Sequence, residues 1–429
     1  MKIAIPFGRT SQEIDIPDAR VGGVLRSRFG DMKTTLSEKE LVENALKNPI
    51  GAPSLSTLAA GKKRIAVITS DHTRPVPSRI TMPLILRELR SASPDAEITI
   101  VIATGCHRAM TDEEIRDRFG DEIHDREKFL IHDSADDACF VKIGQLPSGG
   151  DCIINKAVMD TDLLIAEGFI EPHFFAGFSG GRKAVLPGCA NRETVLANHC
   201  AEFIASDKAR TGILDGNPIH VDMMYAARQA SLAFIVNVVI DSEKKIVAAF
   251  AGDMETAHRE GCEFLRKYSA VPVIPADIVV TSNGGYPLDQ NIYQAVKGMT
   301  AAEACCRRGG VIIIASECDD GHGGDSFYRS FEKEPTPDGV MRQILLRKRN
   351  QTEPDQWQTQ IFCRVLMRAR VIMVTGPKTP RAMVEHMNME WAPSVSAALT
   401  RADELLGTTD SKITVIPDGV GVIVEENAE

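Results

Sequence analysis

The run Arg64-Ile65-Ala66-Val67-Ile68-Thr69 is apolar at four consecutive positions, so a strand formed here would bury both of its faces. Burial of both faces is typical of a parallel sheet that is covered by helices on each side. Other runs share this character, with Asn237 as an exception in one of them: residues 97–102, 163–166, 233–240, 277–280, 310–315 and 371–374. Helical patterns and polar loops lie between the runs, which predicts an α/β fold with mainly parallel sheets flanked by helices.

Two segments between the predicted strands show helix signals. Residues 111–119 begin with Thr111 followed by acidic residues, and residues 394–406 form an amphipathic run that ends at Gly407. The weakest organised stretch, residues 266–275, contains two prolines and precedes a new β-α-β series, so we expect a domain boundary near residue 270. We therefore predict an N-terminal α/β domain (1–270), which residues 410–429 could complete, and a C-terminal α/β domain (271–409), with the active site in the cleft between them.

The composition of the chain favours a soluble, mildly acidic globular protein. It has 429 residues, with 49 Lys and Arg against 59 Asp and Glu, for a net charge of -10. The basic residues are scattered, which argues against nucleic acid as a partner. The N-terminus lacks a signal peptide and no apolar stretch is long enough to span a membrane, so we expect a cytoplasmic protein without a membrane partner. The ten cysteines include no C-x-x-C pair, and we expect most to be reduced.

Ligands of open α/β sheets bind beyond the carboxyl ends of the strands, so the loops that follow these strands are the first candidates for a site. Five of them carry polar and ionisable side chains: residues 70–77, 103–108, 171–184, 284–298 and 317–324. The first combines Asp71, Arg74 and hydroxyl groups in one turn, and the second places His107 beside a cation. The third has three glycines and the adjacent cations Arg182 and Lys183, which suits an anionic ligand bound by backbone N–H groups.

The last two loops give weaker signals. Gln294 and Lys297 are three residues apart, so on a helix they would direct an amide and an ammonium group towards one place. Residues 317–324 have the composition of a metal site but no spaced partner ligand, and we interpret them as a flexible loop of the cleft. His199 follows a predicted helix start near Asn191.

Each feature also has an ordinary structural explanation: a Pro-rich turn capped by Asp71, a structural loop histidine at 107, a flexible glycine loop, and solvated helix faces at His199 and Lys297. The match to a P-loop is weak because Arg182 and Ala184 occupy positions that require Gly and Ser or Thr. Neither H-E-x-x-H nor G-x-G-x-x-G occurs. The residues alone therefore predict an α/β enzyme for a small carboxylate, with two or more histidines as acid/base or metal groups.

Several of these motifs, in order and spacing along nearly the whole chain, resemble the nickel-pincer lactate racemase family. Asp71-His72-Thr73-Arg74-Pro75 resembles the cofactor-binding turn, with Arg74 also near the substrate carboxylate. Gly105-Cys106-His107-Arg108 and Glu171-Pro172-His173 are similar to the segments that carry the two catalytic histidines, His107 and His173. Gly180-Gly181-Arg182-Lys183 resembles the segment whose lysine bonds covalently to the cofactor. Cys106 departs from the hydroxyl or apolar residue that we expect there.

The resemblance extends to the metal ligand and the substrate pocket. His199 falls where the family places its protein ligand to nickel. Gln294 and Lys297 match the substrate-binding pair, with Tyr293 beside them, and Asp355-Gln356-Trp357 resembles a further segment that lines the site. On this resemblance the N-terminal domain binds the cofactor and the C-terminal domain contributes substrate-binding residues, including Trp357.

The resemblance implies an isomerase that inverts the C2 carbon of a 2-hydroxy acid, lactate or a related acid. Its cofactor would be nickel held by pyridinium-3,5-bisthiocarboxylic acid mononucleotide, attached at Lys183 and made by separate cofactor-synthesis enzymes. One histidine would remove the hydroxyl proton while hydride passes from carbon to the cofactor, and hydride would then return to the other face of a 2-keto acid. Each histidine would serve one enantiomer.

Two alternatives from other classes stay open at this point. The first is a zinc hydrolase that uses His107, His173 and His199 as metal ligands and acts on a small carboxylate. The second is a non-catalytic carboxylate-binding protein in which Lys183 is unmodified. Malate, longer 2-hydroxy acids and sugar acids fit the racemase mechanism as well as lactate does.

Overall fold

The computed structural model describes residues 1–32 and 35–426. Its strands, in chain order, are β1 (Lys2–Phe7), β2 (Thr10–Asp15), β3 (Val21–Val24), β4 (Arg64–Ser70), β5 (Glu97–Ala103), β6 (Lys128–Ile131), β7 (Phe140–Gln145), β8 (Asp151–Asn155), β9 (Leu163–Phe169), β10 (Pro172–His173), β11 (Gly177–Phe178), β12 (Leu232–Ile240), β13 (Ile246–Gly252), β14 (Ala270–Pro272), β15 (Ala276–Ser282), β16 (Cys306–Ala315), β17 (Arg370–Val374), β18 (Glu390–Ala392), β19 (Ile413–Ile416) and β20 (Ile423–Glu425).

The α-helices are α1 (Glu38–Lys47), α2 (Leu55–Ala59), α3 (Ser78–Ala92), α4 (Asp112–Phe119), α5 (Asp121–Arg126), α6 (Lys156–Met159), α7 (Arg192–Asn198), α8 (Ala201–Ala205), α9 (Pro218–Gln229), α10 (Thr256–Ser269), α11 (Ile292–Cys305), α12 (Asp325–Lys333), α13 (Pro337–Leu346), α14 (Gln356–Arg368), α15 (Arg381–His386) and α16 (Val395–Leu406). Short 3-10 helices span Asp18–Arg20, Phe29–Asp31, Asp137–Cys139, Gly181–Ala184 and Arg349–Gln351. Among the described residues, no helix is both long and apolar enough to cross a bilayer.

The first six-stranded sheet has the order β13-β12-β9-β4-β5-β6 and is parallel except for the antiparallel pair of β12 and β13. In β4, Ile65 and Val67 pack into one apolar cluster, whereas Ala66 and Ile68 pack into another on the opposite face. This alternation is the two-residue period of a strand buried on both sides. Each such Ile or Val contributes about 1.5–3 kcal/mol relative to an exposed side chain.

The second six-stranded sheet has the order β18-β17-β16-β15-β19-β3, and all of its strand pairs are parallel. The predicted apolar runs correspond to β4, β5, β9 and β12 of the first sheet and to β15, β16 and β17 of the second. The prediction of an α/β fold with mainly parallel sheets flanked by helices is therefore confirmed.

Both predicted helices are present, with the expected ends. The Thr111 hydroxyl accepts a hydrogen bond from the Glu114 N–H at 3.2 Å, and the Glu114 carboxylate accepts one from the Thr111 N–H at 2.8 Å, which starts α4. Helix α16 ends at Gly407, whose φ of +69° favours glycine.

The two ends of the chain pair differently from the expected domain grouping. Strand β3 joins the second sheet beside β19, although residues 1–270 were grouped with the first, and the isoleucines of β1 and β2 pack in the apolar cluster of the second sheet. Residues 412–425 form two strands: β19 lies inside the second sheet, and β20 pairs with β14. An apolar pattern requires burial of a face but does not specify which sheet covers it. The boundary near residue 270 stays a prediction.

Candidate active site

A cavity of about 790 Å³ lies beyond the carboxyl ends of β4, β5 and β9, and loops and helices after β15 and β16 complete its lining. This is where ligands bind in open α/β sheets. The cavity brings together all the predicted site residues, which are Asp71, His72, Thr73, Arg74, His107, His173, Lys183, His199, Tyr293, Gln294, Lys297 and Trp357. The sequence thus located the site, whereas the role of each residue stays a prediction.

The turn after β4 holds His107 through a carboxylate. The Nδ1 atom of His107 lies 2.7 Å from Oδ2 of Asp71, and the Thr73 N–H and hydroxyl donate to Oδ1 of Asp71 at 3.0 and 2.6 Å. Burial alone would raise the pKa of Asp71, but the hydrogen bond and charge of His107, with the charge of Arg74, hold it well below its ordinary value. The ionised carboxylate accepts the Nδ1 proton of His107, which leaves Nε2 able to accept a proton.

Arg118 supports this turn from helix α4. Its Nη1 donates to the Asp71 carbonyl at 2.5 Å and its Nη2 to the Arg74 carbonyl at 2.9 Å. Burial lowers the pKa of Arg118, whereas the charges of Glu167 and Asp71 raise it. Sequence reasoning missed Arg118 because these contacts span more than 40 residues and no local pattern encodes them.

A buried carboxylate lies beneath the same turn. Glu167, at the end of β9, accepts hydrogen bonds from the Thr69 hydroxyl at 2.5 Å and the Ser78 hydroxyl at 3.0 Å, and also from the Thr81 hydroxyl. Glu167 is only 2% exposed. Its hydroxyl partners satisfy a charge that would otherwise be costly to bury, and they connect β4, β9 and α3 under the site.

The second predicted base, His173, has a different environment. Its ring stacks on Phe174 with centroids 5.1 Å apart and meets Phe175 edge-on at 4.5 Å. The Ala176 N–H donates to Nδ1 at 3.3 Å, so the neutral ring carries its proton on Nε2. Burial lowers the pKa of His173 well below its ordinary value, and the charges of Lys183 and Lys297 lower it further.

The glycine loop places the Lys183 amine in the cavity. Gly180 has a φ of +80°, and a Cβ there would lie 2.7 Å from Oδ1 of Asn237 and 2.9 Å from a backbone carbonyl oxygen, so only glycine fits. The Gly181 N–H donates to the same Asn237 oxygen at 2.7 Å. Burial lowers the pKa of Lys183 well below its ordinary value, and the charges of Arg182 and Arg74 lower it further, which favours a neutral, nucleophilic amine.

Of the two adjacent cations in the glycine loop, only Lys183 lines the cavity. Arg182 is fully buried and donates to the carbonyls of Ala176 and Phe178, both at 2.8 Å, and to Nδ1 of His220 at 3.0 Å. Arg182 therefore stabilises the glycine loop from the protein interior. Its side chain and that of Lys183 point to different sides because they are adjacent residues of a tight turn. Asn237 was the one polar residue in an otherwise apolar predicted strand, and that signal could have identified it.

His199, at the end of α7, is held in one tautomer. Its Nδ1 lies 2.9 Å from the Val195 carbonyl oxygen, which can only accept, so the proton is on Nδ1 and the lone pair on Nε2. Burial, and then the charge of Lys183, lower the pKa of His199 to about 3. Phe175 and Trp357 meet the ring edge-on at 5.2 and 4.9 Å. A neutral imidazole with an available Nε2 is the form that binds a metal ion.

Helix α11 contributes Gln294 and Lys297 to the opposite wall, as their spacing predicted. The buried Oε1 of Gln294 has no hydrogen-bond partner in the described part of the chain, so it is available to a ligand. Burial and the charge of Arg74 lower the pKa of Lys297 to about 7, against the opposing effect of Glu171. Nε1 of Trp357 donates to the Tyr293 hydroxyl at 3.0 Å, which fixes both aromatic side chains.

The arrangement contradicts a metal centre built from protein side chains alone. Within residues 1–32 and 35–426, no group of three or more His, Cys, Asp and Glu side chains could hold a metal ion. The three histidines of the hydrolase alternative line one cavity but do not converge on one point. A metal bound here by His199 would need most of its other ligands from a cofactor.

Comparison with known proteins places the chain among racemases. Residues 7–212 match the lactate racemase N-terminal domain and residues 271–424 the lactate racemase C-terminal domain. A lactate racemase of Thermoanaerobacterium thermosaccharolyticum is 56% identical over 424 residues, and one of Lactiplantibacillus plantarum is 52% identical over 423 residues, each alignment covering 99% of both chains.

Solved structures agree with this likeness. The lactate racemase apoprotein of Thermoanaerobacterium thermosaccharolyticum superposes with a TM-score of 0.95 at 55% identity, covering 99% of this chain and 100% of that one. A Thermotoga maritima protein shares the fold, with a TM-score of 0.67 at 19% identity over 91% of this chain and 99% of that one.

Proposed function

The chain belongs to the lactate racemase family, and on that premise we propose that it interconverts the enantiomers of a 2-hydroxy acid by hydride transfer to and from a nickel-pincer nucleotide. The chain is an isomerase, because relatives more than 50% identical over its full length are racemases. The hydrolase and the non-catalytic binding alternatives are therefore wrong. Lactate, on which the relatives are named to act, is the first candidate substrate.

One observation carries the proposal: two histidines and two cations line the same cavity as a buried amine and an imidazole with an available Nε2. Inversion of a carbon that bears a hydroxyl needs proton transfer on two sides, because the two enantiomers present the hydroxyl in different directions. His107 and His173 supply two such groups, and Arg74 and Lys297 supply charges for a carboxylate.

The residues of the chain fit the proposed cofactor. A neutral Lys183 amine can form the covalent bond, and Nε2 of His199 can complete the coordination of nickel, for which imidazole with soft sulfur donors is suitable. The buried Nδ2 of Asn237 and Oε1 of Gln358 line the cavity and have no partner among the described residues, so they remain for groups of the cofactor. When bound, the cofactor supplies a reversible hydride acceptor beside the substrate carbon.

His107 is arranged to act as the first base. Nε2 of His107 removes the hydroxyl proton of the substrate as C2 loses its hydride, and the charge of Asp71 stabilises the imidazolium ion that results. The substrate becomes a 2-keto acid, which Arg74 and Lys297 retain through its carboxylate while the carbonyl group turns. When bound, the cofactor would supply hydride to the opposite face of C2.

His173 completes the inversion by protonating the oxygen of the new enantiomer. It must be charged to donate this proton, although burial and neighbouring cations favour the neutral ring. The carboxylate of a bound substrate offsets those cations, so substrate binding raises the pKa of His173. In the reverse direction His107 is the acid and His173 the base, which requires the neutral His173 ring to carry its proton on Nδ1 and to release the Ala176 N–H.

The proposal is tested by intact mass and metal analysis of protein produced together with cofactor-synthesis enzymes. We expect a mass adduct and nickel in the wild type, loss of both in Lys183→Ala, and loss of nickel in His199→Ala. Lys245→Ala, which changes an exposed lysine paired with Glu243, is the matched control and keeps both. An unmodified Lys183 in wild-type protein, with zinc or no metal, would refute the proposal.

A further inference from the structure

A second cavity, of about 600 Å³, opens on the other side of Phe174 from the active site. Four arginines line it, and we call it the arginine cavity: Arg210, Arg308, Arg364 and Arg368. Glu303 is the one carboxylate among its lining residues, which leaves a formal charge of +3 from these five side chains. A concave site of this size suits a small molecule.

Two of the arginines, Arg210 and Arg368, are held in place by hydrogen bonds to backbone carbonyls. Arg210 donates from Nη1 to the Ser206 and Ala209 carbonyls at 2.7 and 2.9 Å, and Arg368 donates from Nε and Nη2 to the Cys306 carbonyl at 3.2 and 3.0 Å. These neutral carbonyls fix the guanidinium groups without neutralising them, and Arg210 also lies 3.6 Å from the exposed carboxylate of Asp207. A guanidinium that is already fixed loses little conformational entropy when an anion binds.

The other two arginines differ in their partners. Arg364 pairs with Glu303, with its Nη2 2.8 Å from Oε2. Arg308 is exposed and has no hydrogen bond or ion pair to any described residue. Burial, and then the like charge of Arg364, lower the pKa of Arg210, against the charges of Glu303 and Asp207, which raise it. The carboxylates thus offset only part of the repulsion between the two guanidinium groups. An anion between them would relieve this repulsion.

The remainder of the wall is apolar. Met367, Val422 and Val424 line the cavity together with Phe174 and small side chains of α11. Cations on one part of a cavity and apolar side chains on another suit an organic molecule that has anionic groups on a carbon frame. We propose that the arginine cavity binds a small organic anion bearing carboxylate or phosphate groups, which is a function beyond the racemase site.

Phe174 gives the arginine cavity a direct connection to the racemase site. Its ring lines both cavities and stacks on His173, with centroids 5.1 Å apart. A molecule bound in the arginine cavity therefore contacts a residue whose ring stacks on a proposed catalytic base. Displacement of that ring would alter the packing of His173.

The test is calorimetric titration of the full chain with citrate and with pyrophosphate, which represent the carboxylate and the phosphate source. We expect saturable binding of at least one probe, weakened about tenfold by Arg308→Gln, since one hydrogen bond to a charged group is lost, and largely restored by Arg308→Lys. Arg307→Gln is the matched control, because the neighbouring Arg307 pairs with Asp277 and lies outside the lining.

A second measurement separates this site from the cations of the racemase site. With methyl-13C methionine labelling, the Met367 signal should shift on titration in the wild type and also in Lys297→Gln, where anion binding at the racemase site is weakened. Absence of saturable binding by both probes, unchanged affinity in Arg308→Gln, or an unmoved Met367 signal would overturn the proposal.

Discussion

His107 and His173 line one cavity but lie in opposite surroundings. The side chain of His107 is 43% exposed and contacts a carboxylate, whereas His173 is 6% exposed and lies among aromatic rings and cations. Their neutral tautomers also differ, since His107 presents a lone pair on Nε2 and His173 a proton. In the free protein His107 is therefore ready to accept a proton, whereas His173 becomes charged only when the carboxylate of a substrate is bound.

This difference shows that a symmetric reaction does not need symmetric groups. Enantiomers have equal free energy, so kcat/KM must be equal in the two directions whatever the pKa values of the two bases. The asymmetry can appear only in kcat and KM separately. Variants that remove one histidine at a time, or alter its surroundings, examine the comparison directly.

The largest effect is expected from removal of either base. His107→Ala and His173→Ala should each lower kcat/KM by about 10²–10⁴-fold, and equally in both directions, because every turnover needs both proton transfers. Chiral chromatography from each pure enantiomer gives the rates. His124→Ala, which changes a histidine paired with Asp112 outside the cavity lining, should retain the wild-type rate. Retention of the wild-type rate by either variant would contradict the two-base account.

A smaller effect is expected when His107 loses its hydrogen-bond partner, the carboxylate of Asp71. Asp71→Asn should lower the rate by about 10–100-fold, the usual cost of losing a partner that orients a functional histidine. The loss should fall on kcat more than on KM, because Asp71 holds the His107 ring in position for proton transfer. Asp95→Asn, at an exposed position, is the control. An unchanged kcat would show that Asp71 does not act through His107.

The pH dependence of substrate binding tests the role of Lys297, whose charged amine is proposed to bind the substrate carboxylate. The pKa of Lys297 is about 7, and its charged form binds the carboxylate, so affinity should be full below pH 7. Above that pH the charged fraction falls about tenfold per unit, until binding depends on Arg74 alone. Titration with a non-reacting 2-hydroxy acid analogue measures this, and Lys297→Arg should remove the decline. A pH-independent affinity in the wild type would contradict the assignment.

The smallest effect is expected from Arg118, which contacts the turn through its backbone. Arg118→Lys retains one of the two carbonyl bonds, so we expect a loss in kcat of about tenfold or less with little change in KM. Arg79→Lys, on the adjacent helix α3, serves as the control because Arg79 bonds to the carbonyl of Asp117, away from the turn. A change in KM alone would indicate that Arg118 acts on binding rather than on the position of the base.

The same comparison explains what could be predicted from the sequence. The seven strands and the loops that follow them were predictable, because consecutive apolar residues and the carboxyl-end rule are local or topological signals. The surroundings of His107 and His173 were not, because His107 depends on Asp71, 36 residues away, and His173 on the charge of Lys297, and no spacing encodes these contacts. Arg182 illustrates the limit: adjacent to Lys183 in sequence, it is directed into the interior instead of the cavity.

The most direct test of the account is the fate of the hydrogen on C2. L-lactate that carries deuterium at C2 is racemised in ordinary water by the cofactor-loaded enzyme, and the deuterium content of both enantiomers is measured by mass spectrometry. Hydride transfer to and from the cofactor predicts that the deuterium is retained in D-lactate and in the remaining L-lactate. Replacement of the deuterium by solvent hydrogen as inversion proceeds would show proton abstraction from carbon, and would contradict the account.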